Sequence, residues 1–299
     1  MKPLRAVAVL PTLFTLGNLV CGFFAIVVAS RIARPGTVDF VPAQKLESVR
    51  ELINSVDPTH NLMLCGILIL TAMLFDVFDG GVARLARVTS DFGAQLDSLC
   101  DVVSFGVAPA MLLVKMCPDF TEVHQEATWT IAALFTCCVA LRLARFNVES
   151  DDEDDHMNFV GLPSPAGAAV IASFGILSYT LRNEVNYSNF EAFDWWIQRL
   201  LPLFAVAIAL LMVSRAPYPH IVTQLLRGQH SFAHLVGVVV TLVVLLTMRG
   251  FAVPIVCLAY VLAPPLTHAW NLSRRYLRVS RFQLNLHRLA TARGACLLL

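Results

Sequence analysis

Charge is scarce in this chain of 299 residues: Asp, Glu, Lys and Arg together make up 14%, where a soluble domain carries about a quarter. A water-soluble globule of this length is therefore excluded. The 57% of hydrophobic residues and a mean hydropathy of +0.68 describe a polytopic membrane protein instead. An excess of charge of either sign is also missing. The net charge of +1 leaves no global basic field, so nucleic acid is not an expected partner. The eight cysteines show no Cys-x-x-Cys pair and no Cys/His spacing suited to zinc, and they lie mostly within apolar runs as small hydrophobes. There is no internal repeat, low-complexity tract or separate soluble domain, and no Ser–His or Cys–His arrangement for covalent catalysis.

What the chain does have is long apolar runs. Eight approach the roughly 20 residues needed to cross hydrocarbon, near 10–30, 61–86, 93–117, 127–147, 164–182, 198–215, 232–249 and 251–267. The last two are separated only by Arg249-Gly250, a tight helical hairpin, and Pro264-Pro265 ends or kinks the eighth. The first run is too long for the 7–15-residue core of a signal peptide, so it is read as a span. The expected fold is an all-α membrane bundle of about eight transmembrane helices over residues 1–268. A tail, 269–299, follows. With a cytoplasmic N-terminus, fourteen of the 22 Lys and Arg residues fall on the cytoplasmic side, as the positive-inside rule favours. The longest loop, about 32–60, is then external, with a short helical pattern at 43–56. In the tail, Leu272, Tyr276, Val279, Phe282, Leu286 and Leu289 recur at helical spacing with arginines off that stripe. This is the pattern of an interfacial helix drawn to anionic lipid.

Against this apolar background stand four aspartates, Asp76, Asp79, Asp97 and Asp101. Four such residues at helix centres would cost roughly 10 to 14 kcal/mol without compensation. Spacings of three and four place each pair on one face of its helix, and the short connection makes the two helices antiparallel neighbours. Converging carboxylates need a cation between them, and an oxygen-only ligand set suits Mg²⁺, Mn²⁺ or Ca²⁺. The bland alternative is helix-end aspartates in water or paired with Arg84 and Arg87. Gly80, Gly81 and Gly93 flank the pairs and fit close approach by something bulky. Arg84 has the fork to clamp a phosphate, or serves as a membrane-surface anchor.

The string Asp76-x2-Asp79-Gly80-x2-Ala83-Arg84-x8-Gly93-x3-Asp97-x3-Asp101 resembles, at all eight fixed positions, the signature of the CDP-alcohol phosphatidyltransferase family. The resemblance implies an integral membrane enzyme with a six-helix core, a homodimer, which displaces CMP from a CDP-linked lipid with an alcohol. It also implies that Asp76, Asp79, Asp97 and Asp101 hold divalent metal, Mg²⁺ or Mn²⁺. Asp101 resembles the family's general base, and Gly80, Ala83, Arg84 and Gly93 its contacts to cytidine diphosphate. Such an alcohol needs a base within hydrogen-bond reach at neutral pH, and direct displacement is the expected route.

Within the family, Pro11-Thr-Leu-Phe-Thr15-Leu-Gly-Asn18-Leu-Val-Cys-Gly22, Arg142-Leu-Ala-Arg145-Phe-Asn147 and Phe159-Val-Gly-Leu-Pro163-Ser-Pro-Ala resemble segments of the membrane-integral bacterial phosphatidylserine synthases. So does Asp101-Val-Val-Ser104-Phe-Gly-Val-Ala-Pro109. Thr12 departs from the Asn that many of those proteins place after the proline. By residue type alone, Arg142 and Arg145, with Asn147 nearby, fit an acceptor carboxylate, a phosphorylated acceptor such as glycerol 3-phosphate or inositol phosphate, or lipid headgroups. The resemblance selects L-serine as acceptor and CDP-diacylglycerol as lipid donor, and the distribution of Lys and Arg sets the site at the cytoplasmic face of a cell membrane. The acidic run Asp151–Asp155 reads as a solvated loop. A divalent-metal transporter would also set aspartates in membrane helices, but near the midplane of repeated halves, which this chain lacks.

Overall fold

The computed structural model describes residues 6–32, 58–86, 91–117, 120, 126–149, 161–184, 187–214, 218, 249–265 and 267. Every regular element among them is helical: α1 (Ala6–Ser30), α2 (Pro58–Ala86), α3 (Asp91–Asp101), a π turn (Val102–Val107), α4 (Ala108–Met116), α5 (Ala127–Glu149), α6 (Ser164–Glu184), α7 (Tyr187–Val213), and a 3-10 turn (Arg249–Phe251) that leads into α8 (Ala252–Pro265). In hydrocarbon a backbone must satisfy its own polar groups, and helices do so within one segment.

Six stretches are long and apolar enough to cross a membrane: Pro11–Ser30, His60–Gly80, Phe92–Met116, Ala127–Val148, Ser164–Leu181 and Trp195–Val213. They match the first six expected spans, and the protein is a multi-pass membrane protein. Large apolar side chains stay exposed along them, among them Leu13, Phe24, Leu74, Leu141, Leu203 and Leu210. Such a surface belongs against lipid rather than water. Within the eighth expected span, 251–267, the described residues form α8, Ala252–Pro265, which opens after Gly250, carries Pro264-Pro265 as helical residues and is followed by helical Thr267. The seventh span, the 43–56 pattern, the acidic run and the tail lie outside the described residues.

The third span is not one uniform helix. Its middle is wound as a π turn, in which the Ala108 N–H donates to Val103 O rather than to the carbonyl four residues back. Pro109 follows directly; it has no N–H to give and crowds the carbonyl before it, which loosens the preceding turn. Thr136 of α5 donates to Gly106 O at 3.4 Å.

The helices pack through small residues. A Cβ on Gly66 of α2 would lie 2.5 Å from Ala172 O of α6, and one on Gly175 of α6 would lie 2.8 Å from Leu62 O of α2. These two backbones meet as closely as membrane helices can. Phe14 of α1 packs against Phe75 and Phe78 of α2 at ring distances of 6.2 and 6.0 Å. Chain direction alternates, so one end of the bundle gathers the C-terminal parts of α2, α5 and α7 with the N-terminal part of α6. That end carries the site; the far end carries His60, Lys115, Thr128 and Gly250.

Candidate active site

Local sequence puts the carboxylates on their faces, and packing then converges them. Asp76 comes from the last third of α2, Asp97 and Asp101 from α3. One carboxylate oxygen from each lies within 4.8 Å of the other two. Asp79, one turn beyond Asp76, is buried beside this trio and within its electrostatic reach. Asp79 lies beside Thr15 of α1, whose hydroxyl donates to Pro11 O at 3.1 Å, and its Oδ2 is buried with no hydrogen-bond partner, as is Asp97 Oδ1.

Buried carboxylate oxygens without a donor are costly, and negative charges this close repel one another. Both problems have one solution. A hard divalent cation accepts oxygen ligands at this spacing and supplies the missing positive charge. The residues present thus fit a Mg²⁺ or Mn²⁺ ion in ligand type, convergence and unmet bonding capacity.

One cationic side chain already faces the cluster. Arg142 of α5 is within electrostatic reach of Asp101 and Asp76, and its Nη1 donates to Ser164 Oγ at 2.8 Å at the start of α6. Arg145 follows on α5, half-buried. Asn147 does not stand open: its Nδ2 donates to Ser98 Oγ at 3.0 Å, and the Ser98 hydroxyl lies 3.3 Å from Asn147 Oδ1 and 3.0 Å from Ala94 O. Asn147 thereby ties α5 to the helix that carries Asp97.

The other expected residues line the approach. Gly80 is exposed, and a Cβ there would meet nothing within 4 Å, so open space adjoins the carboxylates on that side. Gly93 sits half-buried in the first turn of α3. The backbone of Ala83 and Arg84 continues α2; their side chains lie outside the described residues.

Four contributors had not been read from the sequence as site residues. Thr15 reaches Asp79 from α1, and Asn18, fully buried, donates its Nδ2 to Asp101 Oδ1 at 2.9 Å. Ser164 holds Arg142. Tyr260 of α8 lies within electrostatic reach of Arg142. The α8 end that carries Tyr260 is docked by Tyr218, whose hydroxyl donates to Val261 O at 3.0 Å. Burial pushes the Tyr218 phenol up to about 12, which keeps it a neutral donor. Asn18 stands out in the sequence as an amide in a largely apolar helix, and Thr15, Asn18 and Ser164 all fall within the segments quoted above.

Comparison with known proteins gives a match over most of the chain. The family model described as CDP-alcohol phosphatidyltransferase matches residues 8–211. The chain is 28% identical over 219 residues to the CDP-diacylglycerol–serine O-phosphatidyltransferase of Helicobacter pylori, covering 73% of this chain and 75% of that protein. It is 38% identical over 154 residues to the protein of the same name from Methanocaldococcus jannaschii, covering 51% and 62%. To the archaetidylserine synthase of Methanothermobacter thermautotrophicus it is 34% identical over 196 residues, covering 65% and 72%.

Proposed function

The chain belongs to the CDP-alcohol phosphatidyltransferase family, and we propose that within it the protein transfers the phosphatidyl group of CDP-diacylglycerol to the hydroxyl of L-serine, giving phosphatidylserine and CMP. The observation that carries the reading is the convergence of Asp76, Asp97 and Asp101 with Arg142 facing them. The names of the relatives support the acceptor, since their lipid parts differ while serine is common to them.

Asp76, Asp79, Asp97 and Asp101 would hold divalent metal, Mg²⁺ or Mn²⁺, which when bound would supply positive charge to neutralise the diphosphate. The chain's own residues do the rest. Gly80, Ala83, Arg84 and Gly93 bind the cytidine diphosphate; the open space beside Gly80 supports that placement. Arg142 and Arg145 hold the serine carboxylate and so orient its hydroxyl, with Asn147 bracing the wall through Ser98. Asp101 accepts the hydroxyl proton. The serine oxygen then bonds to the lipid-side phosphorus as the bond from that phosphorus to the CMP oxygen breaks. CMP leaves with the electron pair of that bond, and the proton passes from Asp101 to water.

The site faces the cytoplasm of a cell-membrane protein, in keeping with the distribution of Lys and Arg. The working unit is a homodimer of a transmembrane domain, 1–268, with the basic tail 269–299 resting on anionic membrane lipids.

The test supplies purified protein in lipid nanodiscs with CDP-diacylglycerol, Mg²⁺ or Mn²⁺, and L-serine, serinol, glycerol 3-phosphate or inositol phosphate. CMP and lipid product are measured together. Serine is expected to give equimolar CMP and phosphatidylserine, and serinol, which lacks the carboxylate, to be a poor acceptor. Faster CMP release with glycerol 3-phosphate or inositol phosphate would overturn the serine assignment and leave the family chemistry standing.

A further inference from the structure

The polar contacts of Asp101 lead away from the carboxylate cluster and into α1. Asn18 donates Nδ2 to Asp101 Oδ1 at 2.9 Å, and its own main-chain carbonyl accepts from Ser104 Oγ at 3.0 Å. Asn18 and Ser104 are both fully buried. Two segments more than eighty residues apart are thereby stitched together where α3 passes into the π turn.

The backbone is built for this meeting. A Cβ on Gly22, one turn beyond Asn18, would fall 2.7 Å from Ser104 Cα, so only glycine permits the approach. The π turn begins directly after Asp101, and Ser104 within it faces α1.

The chemistry of the amide matters as much as its place. Asp101 already has Asp76, Asp97 and Asp79 as charged neighbours. A fourth acidic neighbour would add to the repulsion, a lysine would compete with a bound cation, and an aliphatic residue would leave Oδ1 bare. A carboxamide donates a hydrogen bond without changing the charge. Only Nδ2 can face a carboxylate oxygen, which leaves Asn18 Oδ1 buried without a partner. That arrangement is poor for stability, and the hydrogen bond to Asp101 is what the amide supplies in exchange.

We propose that Asn18 is the positioning residue of Asp101: by holding Oδ1 it fixes the plane of the carboxylate and leaves the second oxygen to face the acceptor hydroxyl. The inference rests on the base role given to Asp101 above.

The test compares Asn18→Leu, Ser104→Ala, Gly22→Ala and Asp101→Asn with the wild type, as full-length protein in nanodiscs. Readouts are kcat, KM for both substrates, Mn²⁺ affinity by electron paramagnetic resonance, and melting temperature. Asn18→Leu keeps the branching and the number of side-chain heavy atoms and lacks the donor. It is expected to lower kcat roughly thirtyfold, about what a hydrogen bond to a charged group is worth, with KM for CDP-diacylglycerol and Mn²⁺ affinity within threefold of wild type. Ser104→Ala keeps the amide and loses only its anchor, so kcat should fall about threefold with the same split. Gly22→Ala should instead lower melting temperature and kcat together. The inference is overturned if folded Asn18→Leu keeps kcat within threefold of wild type, or if its kcat, both KM values and melting temperature move together as in Gly22→Ala. Should Asn18→Leu fail to fold, an unchanged kcat in Ser104→Ala overturns it and a selective fall supports it. Full turnover in Asp101→Asn would instead sink the base role, a result distinct from either.

Discussion

The two ends of the bundle use buried polar groups in opposite ways. At the far end they tie the chain to itself. Lys115 Nζ donates to Ile32 O at 3.2 Å, Thr128 to Cys117 O at 3.2 Å, and the His60 ring packs edge-on to Tyr179 at 4.9 Å. Asn61 Oδ1 is the one exception there among the described residues. At the site end, carboxylates from two spans face one another, and Asp79 Oδ2, Asp97 Oδ1 and Asn18 Oδ1 have no hydrogen-bond partner. Polar groups that complete a backbone stabilise a fold; like charges gathered in low dielectric destabilise it unless something outside the chain joins them. The contrast in bonding capacity supports the proposal that function sits at one end.

The largest effect should come from breaking the carboxylate cluster. Asp97→Asn or Asp79→Asn is expected to reduce CMP release to roughly 1% or less, since each removes one anionic oxygen donor from a shared centre. Membrane insertion and melting temperature should hold or rise, because the substitution also relieves repulsion. Size-exclusion profiles and thermal melts of the same preparations check this.

Next is Arg142. Its loss should lower kcat/KM for serine ten- to a hundredfold, corresponding to a charge-assisted contact worth about 1.5 to 3 kcal/mol, with little change in KM for CDP-diacylglycerol. Arg142→Lys keeps the charge without the fork and should recover part of the loss. Steady-state CMP release with serine and serinol reads both, and a discrimination ratio equal to that of wild type would remove Arg142 from the acceptor site.

A smaller change is expected at Tyr260, which α8 brings to Arg142 from outside the residues matched by the family. Tyr260→Phe keeps the ring and removes the hydroxyl, and should lower kcat/KM for serine by about fivefold or less through the lost dipole beside Arg142. An unchanged value would confine α8 to packing.

These residues also show what a linear sequence reveals. Aspartates in apolar helices betray themselves by their cost, and spacings of three and four fix their faces, so Asp76, Asp79, Asp97 and Asp101 were legible before any fold was known. Six spans were legible for the same reason, length in an apolar run. Partners on other helices were not. Nothing local joins Ser98 to Asn147, 49 residues on, or Asn18 to Asp101. The hydrogen bond between Asn147, an expected substrate contact, and Ser98 is likewise visible only in the fold. The π turn also escaped, because Pro109 can open an α-helix in several ways and the packing of Gly22 and Thr136 selects one.

The far end supplies the smallest functional effect. Thr128→Val should cost about 1 kcal/mol of stability, the value of one intramolecular hydrogen bond, while CMP release per folded molecule stays at the wild-type level. A drop in turnover at unchanged substrate concentrations would break the separation between the two ends.

The separation itself is tested most directly by cation binding without turnover. Mn²⁺ titrated into nanodisc preparations and followed by electron paramagnetic resonance should bind wild type and Thr128→Val with equal affinity, and bind Asp97→Asn at least tenfold more weakly. Binding by Asp97→Asn with wild-type affinity would contradict the claim that the carboxylates at one end of the bundle form a single cation centre.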